Sequence, residues 1–156
     1  MTTDTKGLRR QTGLRRASLS LCVLLIAEYA LGMGVNIYVT VPKSDQGHGM
    51  GKAFGDALSK GPAALAIHAS VGLLLLLAAI GLFVQAIIAR NRTVIVTATL
   101  ALLAVIGAAS SGANFVDKGQ NSASMAMAML TAVALLCAVT NIYILARPAA
   151  TTPAAD

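Results

Sequence analysis

A chain of 156 residues that is 56% hydrophobic and only 12% charged, with a mean hydropathy of +0.75, carries more apolar surface than a soluble domain of its size can bury. Its net charge of +6 does not point to nucleic acid, because the basic residues cluster on one side of a series of apolar segments. Only two cysteines occur, Cys22 and Cys137, both inside apolar segments, so they are expected to be small packing residues and leave no thiol in the outer loops for a disulfide.

Residues 1–17 form a basic segment containing Lys6, Arg9, Arg10, Arg15 and Arg16, expected to be a mobile cytoplasmic tail. The first apolar segment, 18–41, is about 24 residues long, well beyond the 7–15 of a signal-peptide core. Its nearest small-x-small sequence, Gly32-Met33-Gly34, lies inside the apolar run, so the segment reads as a retained helix. In the outer loop, 42–62, Met50, Phe54 and Leu58 recur at i, i+4 and i+8 and predict a short helix on the membrane surface, against which Gly51 and Gly55 weigh. His48 lies in the same loop with no second His or Cys at metal spacing, and reads as solvated. A second span at 63–88 and a third at 93–113 are joined by a turn, 89–92, short enough to force an antiparallel hairpin. A fourth span covers 124–146, and the Ala-, Thr- and Pro-rich tail 148–156 is expected to be disordered.

Each span reaches the roughly 20 residues that a helix needs to cross the hydrocarbon layer. The runs 71–80 and 100–106 carry no polar side chain on any face, which excludes the alternation of a barrel. The fold class is therefore all-α: a polytopic membrane four-helix bundle over 18–147, built from two helical hairpins in weak tandem repeat. All seven arginines fall on the side of the termini and the 89–92 turn; the other side has Lys43, Lys52, Lys60 and Lys118, offset by Asp45, Asp56 and Asp117. The positive-inside rule then places both termini in the cytoplasm. The Ala- and Arg-rich style suits a high-GC bacterium, hence a bacterial cytoplasmic (inner) membrane.

The repeat rests on few residues. Gly34 and Asn36 match Gly112 and Asn114 at an offset of 78, and the Ala-Arg ends of spans two and four, Ala89-Arg90 and Ala146-Arg147, match at 57. Helical repeats of this kind often enclose a site near their pseudo-twofold axis.

Polar side chains in spans are costly and mark candidate sites. An outer layer holds Asn36, His68, Ser110, Ser111, Asn114 and Ser124, with Met125 and Met127; an inner layer holds Gln85 and Asn141. The offset of 57 carries His68 onto Met125, and a His and a Met on facing helices form an axial pair for haem iron. The same residues also read as an interfacial histidine, hydrogen-bonded to Asn36 or Asn114, beside a Met-rich packing patch. Glu28 sits near mid-membrane and should be neutral or paired; it is a candidate proton or ion site, or a polar clamp between helices. Counted from the span ends, it lies about 12 Å deeper than His68, so the two are expected not to pair.

The plan of two hairpins, with an outer histidine in the run Ala66-Ile67-His68-Ala69-Ser70-Val71-Gly72, resembles one four-helix half of the heme A synthase family and small four-helix bacterial membrane proteins of similar pattern. The resemblance covers about residues 20–146 and implies a four-helix fold and a haem pocket; together with the polar layer it makes His68, as ligand to haem iron, Met125, Asn36 and Asn114 the candidate cofactor-binding residues. Heme A synthase chemistry itself is not implied: the family's carboxylate three residues before the histidine is Leu65 here, its following arginine is Ala69, its second histidine is replaced by Met125, and its outer cysteines are missing. With no nucleophile–base pair or redox dithiol, the chain leans away from being an enzyme. Three readings stay open: a protein that binds b-type haem or assists a haem-containing respiratory complex, a cofactor-free accessory subunit, and a small proton-coupled transporter using Glu28. The expected partners are the lipid bilayer, and a membrane protein or second copy of this chain; no nucleic acid is expected. Alkaline phosphatase fused after Asp156 is expected to be inactive, and after Gly119 active; the reverse pattern would place the termini outside.

Overall fold

The structure, a computed structural model, describes residues 2–39, 47 and 49–146, without the side chains of 2–6 and 121. His48, most of the outer loop before it and the expected disordered tail 148–156 lie outside the described residues. The described residues form five helices: α1 (Thr2–Tyr38), α2 (Met50–Ser59), α3 (Ala63–Ala89), α4 (Arg92–Lys118) and α5 (Asn121–Ala146). Four of them are long and apolar enough to cross a membrane. The chain is a small integral membrane protein with a four-helix bundle, as its apolar segments indicate.

The long helices run up, down, up and down. Each packs on its neighbours in the chain, and α1 closes the ring against α5. Their buried positions follow steps of three and four: 14, 18, 21 and 25 on α1; 75, 79, 82 and 86 on α3; 94, 98, 101 and 105 on α4; 131, 134, 138, 141 and 145 on α5. That period of 3.5 is the seam of a left-handed bundle. Alanine dominates it, with Ala79, Ala86, Ala98, Ala101, Ala134 and Ala138 almost wholly buried. In lipid, apolar burial between helices gains little, and close backbone approach over small residues supplies the packing energy. Cys22 and Cys137 are free, half-buried and packed on this core, matching the packing role expected of them.

Two boundaries differ from expectation. The basic residues before residue 18 continue α1 as helix instead of forming a separate tail; Gln11 Nε2 donates to the Leu145 carbonyl at 3.3 Å and holds this extension to the inner end of α5. At the outer end α4 runs five residues beyond 113, because Asp117 is buried and used: its Oδ1 accepts from Gly49 N and its carbonyl from Gly47 N, both at 3.0 Å. Gly119, at φ 64°, then ends α4 in the left-handed conformation that glycine adopts without strain. The hairpin between α3 and α4 turns through Arg90, with Asn91 capping α4 by accepting from Val94 N at 3.2 Å.

The surface helix expected around Met50, Phe54 and Leu58 is α2. Its buried contacts are the small Ala53 and Ala57, which pack with Val35, Leu65 and Val116 and bring it close over the bundle end. Asp56 pairs with Lys60 at 3.2 Å and Lys52 at 3.3 Å, and the hydrogen bond from Lys60, with that from Lys52 behind it, holds its carboxyl below the usual range. This contribution is complete above the ordinary carboxylate pKa and is lost as pH falls through the depressed one.

In the inner half, Asn141 is fully buried and its Oδ1 meets the Thr97 hydroxyl, which also approaches the Thr93 and Val94 carbonyls. One hydroxyl proton cannot serve all three acceptors. Turning the amide over lets Asn141 Nδ2, otherwise unpartnered among the described residues, donate to Thr97 Oγ1 while Thr97 donates to its own backbone.

Asp117 is the fastener of α2. Asp117→Ala should cost about 1.5–3 kcal/mol locally, as for a hydrogen bond to a charged group. Amide exchange over residues 49–59 should then accelerate roughly ten- to a hundredfold while α5 is unchanged; unaltered exchange in α2 would show that Ala53 and Ala57 suffice to hold it.

Candidate functional site

The stripe of α1 that begins at Leu14 continues through Glu28, Gly32 and Val35, so the core positions near the outer end hold a carboxylate and a gap in place of leucines. On α3 the facing positions are His68 and Gly72. A methyl group at Gly32 would lie 3.1 Å from His68 Cε1, and one at Gly72 2.8 Å from Glu28 Oε1. Each glycine therefore makes room for the polar side chain on the opposite helix. Across this diagonal, His68 Nδ1 lies 3.1 Å from Glu28 Oε1, with the two side chains 15% and 12% exposed.

This contact corrects the expectation that depth separates the pair. Hydropathy carries span one to residue 41, but α1 ends at Tyr38, which brings Glu28 about 4.5 Å nearer the outer end at 1.5 Å per residue. Gly32 then faces His68 directly, leaving Glu28 one turn, about 5–6 Å, below it. Two side chains of this length span one turn easily. The approach is oblique to the ring, so it is a close polar contact without an aligned hydrogen bond, and both His68 Nδ1 and Glu28 Oε2 are buried with no hydrogen-bond partner among the described residues.

Glu28 and His68 line a mostly apolar cavity of about 460 Å³ in the outer half of the bundle. Val35, Leu75, Leu76 and Val105 form part of its wall, Met50, Phe54 and Ala57 of α2 roof it, and Thr131 and Met127 of α5 face in from the far side. Asn36 lines it too, its Oδ1 accepting from Ser124 Oγ at 3.1 Å and tying α1 to α5.

Two expected members are elsewhere. Met125 is 66% exposed and does not line the cavity, and Asn114 is half-buried off its wall. The position expected for Met125 belongs to Met127: a methyl group at Gly112 would lie 3.2 Å from its sulfur, as one at Gly32 would meet the His68 ring. The two hairpins thus correspond at offsets of 80 and 59, each two residues from the 78 and 57 read in the sequence. The 3.5-residue phase carries this information, since the α5 stripe through 131, 134, 138 and 141 extends back to 127 and misses 125. Among the described residues no three His, Cys, Asp or Glu side chains gather as a metal cluster. Chemically the site offers one imidazole, with a carboxylate behind one of its nitrogens, at the edge of an apolar chamber.

Comparison with family models, curated proteins and solved structures finds no match, so the site is read from its own geometry.

Gly72→Ala should displace the Glu28 carboxylate and cost about 1–3 kcal/mol by overpacking, whereas Gly34→Ala, with open space around it, should be near neutral. Thermal unfolding of the two variants in detergent checks this; equal losses would mean that Gly72 gives no special room to Glu28.

Proposed function

We propose that this small integral membrane protein binds b-type haem in the outer cavity, with His68 as ligand to the iron and Glu28 as the residue that orients it. The observation that carries the reading is the carboxylate 3.1 Å from Nδ1 of a histidine that lines an apolar chamber. Metal-bound histidines commonly donate their non-ligating ring N–H to a carboxylate, which fixes the ring and raises its basicity; a turn of the His68 ring would bring Nδ1 into line with Glu28 for that bond. The cavity volume lies within the range of roughly 300–1,000 Å³ common for small-molecule and cofactor sites. The resemblance to the heme A synthase family supports the same reading. That family's carboxylate position holds Leu65 here, and the chain brings Glu28 from α1 to the histidine instead.

Bound haem would supply one-electron chemistry. The chain's own contribution is to hold the imidazole, exclude water with apolar walls and close the outer end with α2. Met125 is on the lipid side, so the sulfur available to the cavity is that of Met127. A role beside a haem-containing respiratory complex, with no catalysis of its own, follows from the same reading.

A second reading has one specific observation in its favour. Among the described residues Glu28 Oε2 has no hydrogen-bond partner, and its residue lines the cavity, an arrangement suited to taking up a proton with a small lipophilic substrate.

Protein purified in mild detergent from haem-replete cells should show a stoichiometric b-type signal in its reduced-minus-oxidised spectrum. His68→Ala should abolish it, Glu28→Gln should weaken haem retention by about 10–100-fold, and Met125→Leu should leave it unchanged. A flat wild-type spectrum overturns the haem reading; pH-dependent flux lost in Glu28→Gln would then favour the second.

A further inference from the structure

We propose a binding site for the head group of an anionic phospholipid at the opposite, inner end of the bundle, in the crevice between α1 and α3. The crevice has a volume of about 280 Å³, with Arg9 and Arg10 at its mouth and Gly13, Leu14, Gln85 and Ile88 along its length. Gly13 and Gln85 face each other across it, a methyl group at Gly13 lying in ordinary contact distance, 3.9 Å, of Gln85 Oε1.

The depth suits a head group. Gln11 bonds the Leu145 carbonyl near the inner end of α5, so residues 2–10 of α1 extend past the bundle. That overhang is about 13 Å at 1.5 Å per residue, enough to cross the polar layer of one leaflet, about 5–8 Å thick. Arg9 and Arg10 therefore lie where phosphates lie, while Leu14 and Ile88, further in, present the apolar surface that an acyl chain follows. Two guanidinium groups can clasp a phosphate through paired N–H donors, and the Gln85 side chain adds a neutral donor at the glycerol level.

Charge complementarity is one-sided. Arg9, Arg10, Arg15, Arg16, Arg90 and Arg92 share this end, where Asp4 is the acidic residue among the described residues. Glu28, Asp56 and Asp117 all belong to the middle or outer half. General attraction to an anionic leaflet needs only the charge; a built site needs the charge at one crevice, and that difference is testable.

The full-length protein, delipidated in mild detergent, is titrated separately with phosphatidylglycerol, phosphatidylcholine and inorganic phosphate while its unfolding midpoint is followed. Phosphatidylglycerol should raise the midpoint by about 5 °C at saturation, and the other two should not. The double variant Arg9→Gln/Arg10→Gln should lose this shift, while Arg15→Gln/Arg92→Gln, which removes equal charge outside the crevice, should keep most of it. Both pairs of exposed residues should leave the lipid-free midpoint unchanged. Equal loss in the two variants would reduce the effect to diffuse charge. An equal shift with phosphatidylcholine or with inorganic phosphate alone would remove the anionic lipid as the ligand.

Discussion

Lipid removes the usual reason for helices to associate. A leucine facing a hydrocarbon tail is as well solvated as one facing another leucine, so these four helices must be held by close approach and by polar groups that have nowhere else to go. The alanine seam supplies the first over most of the bundle. The second is concentrated at a few points: Asn141 with Thr97 in the inner half, Glu28 with His68 further out, Asn36 with Ser124 near the outer rim. A carboxylate alone at mid-span costs roughly 3 kcal/mol on an insertion scale. Opposite an imidazole it becomes a tie between α1 and α3, so one residue serves both as a cost of insertion and as a contact that specifies packing.

The same constraint explains why a cavity survives in so small a bundle. Where the seam needs small residues to close, it has them; where Gly32 and Gly72 occur, the vacated space is taken by the side chains of His68 and Glu28, which leave volume beside them. The outer end would remain open without α2, which is seated by Ala53 and Ala57 and fastened by Asp117. The second hairpin has no such roof of its own, since only Gly119 and Gln120 join α4 to α5. The hairpins also differ in what they present to the cavity: one contributes the imidazole and carboxylate, the other a thioether and a hydroxyl.

The spans and the surface helix were legible because length and hydropathy decide them, and lipid makes those signals strong. The pairing of Glu28 with His68 was obscured by a boundary error of three residues at the end of α1, since Ile37, Tyr38 and the residues after them remain apolar whether or not the helix continues. Met127 was obscured for another reason: a repeat matched by glycines and asparagines tolerates a slip of two residues. The seam phase does not, and counting in threes and fours from Leu14 reaches Glu28 and Gly32 without any structure. What no count along one helix can supply is which facing residue a glycine admits, and that relation builds the site.

Helix α1 runs from Thr2 to Tyr38 with no proline to bend it, so its basic overhang and its outer carboxylate are two ends of one rod. Arg9 and Glu28 are about 28 Å apart along it. Pivoted at the inner end, a rotation of only about 2° moves the carboxylate by roughly 1 Å, enough to lengthen a 3.1 Å contact beyond bonding range. Helix tilt follows bilayer thickness and the anchoring of interfacial arginines. Because the rod is continuous, any tilt of α1 against α3 that is set at its basic end would be transmitted to the contact between Glu28 and His68.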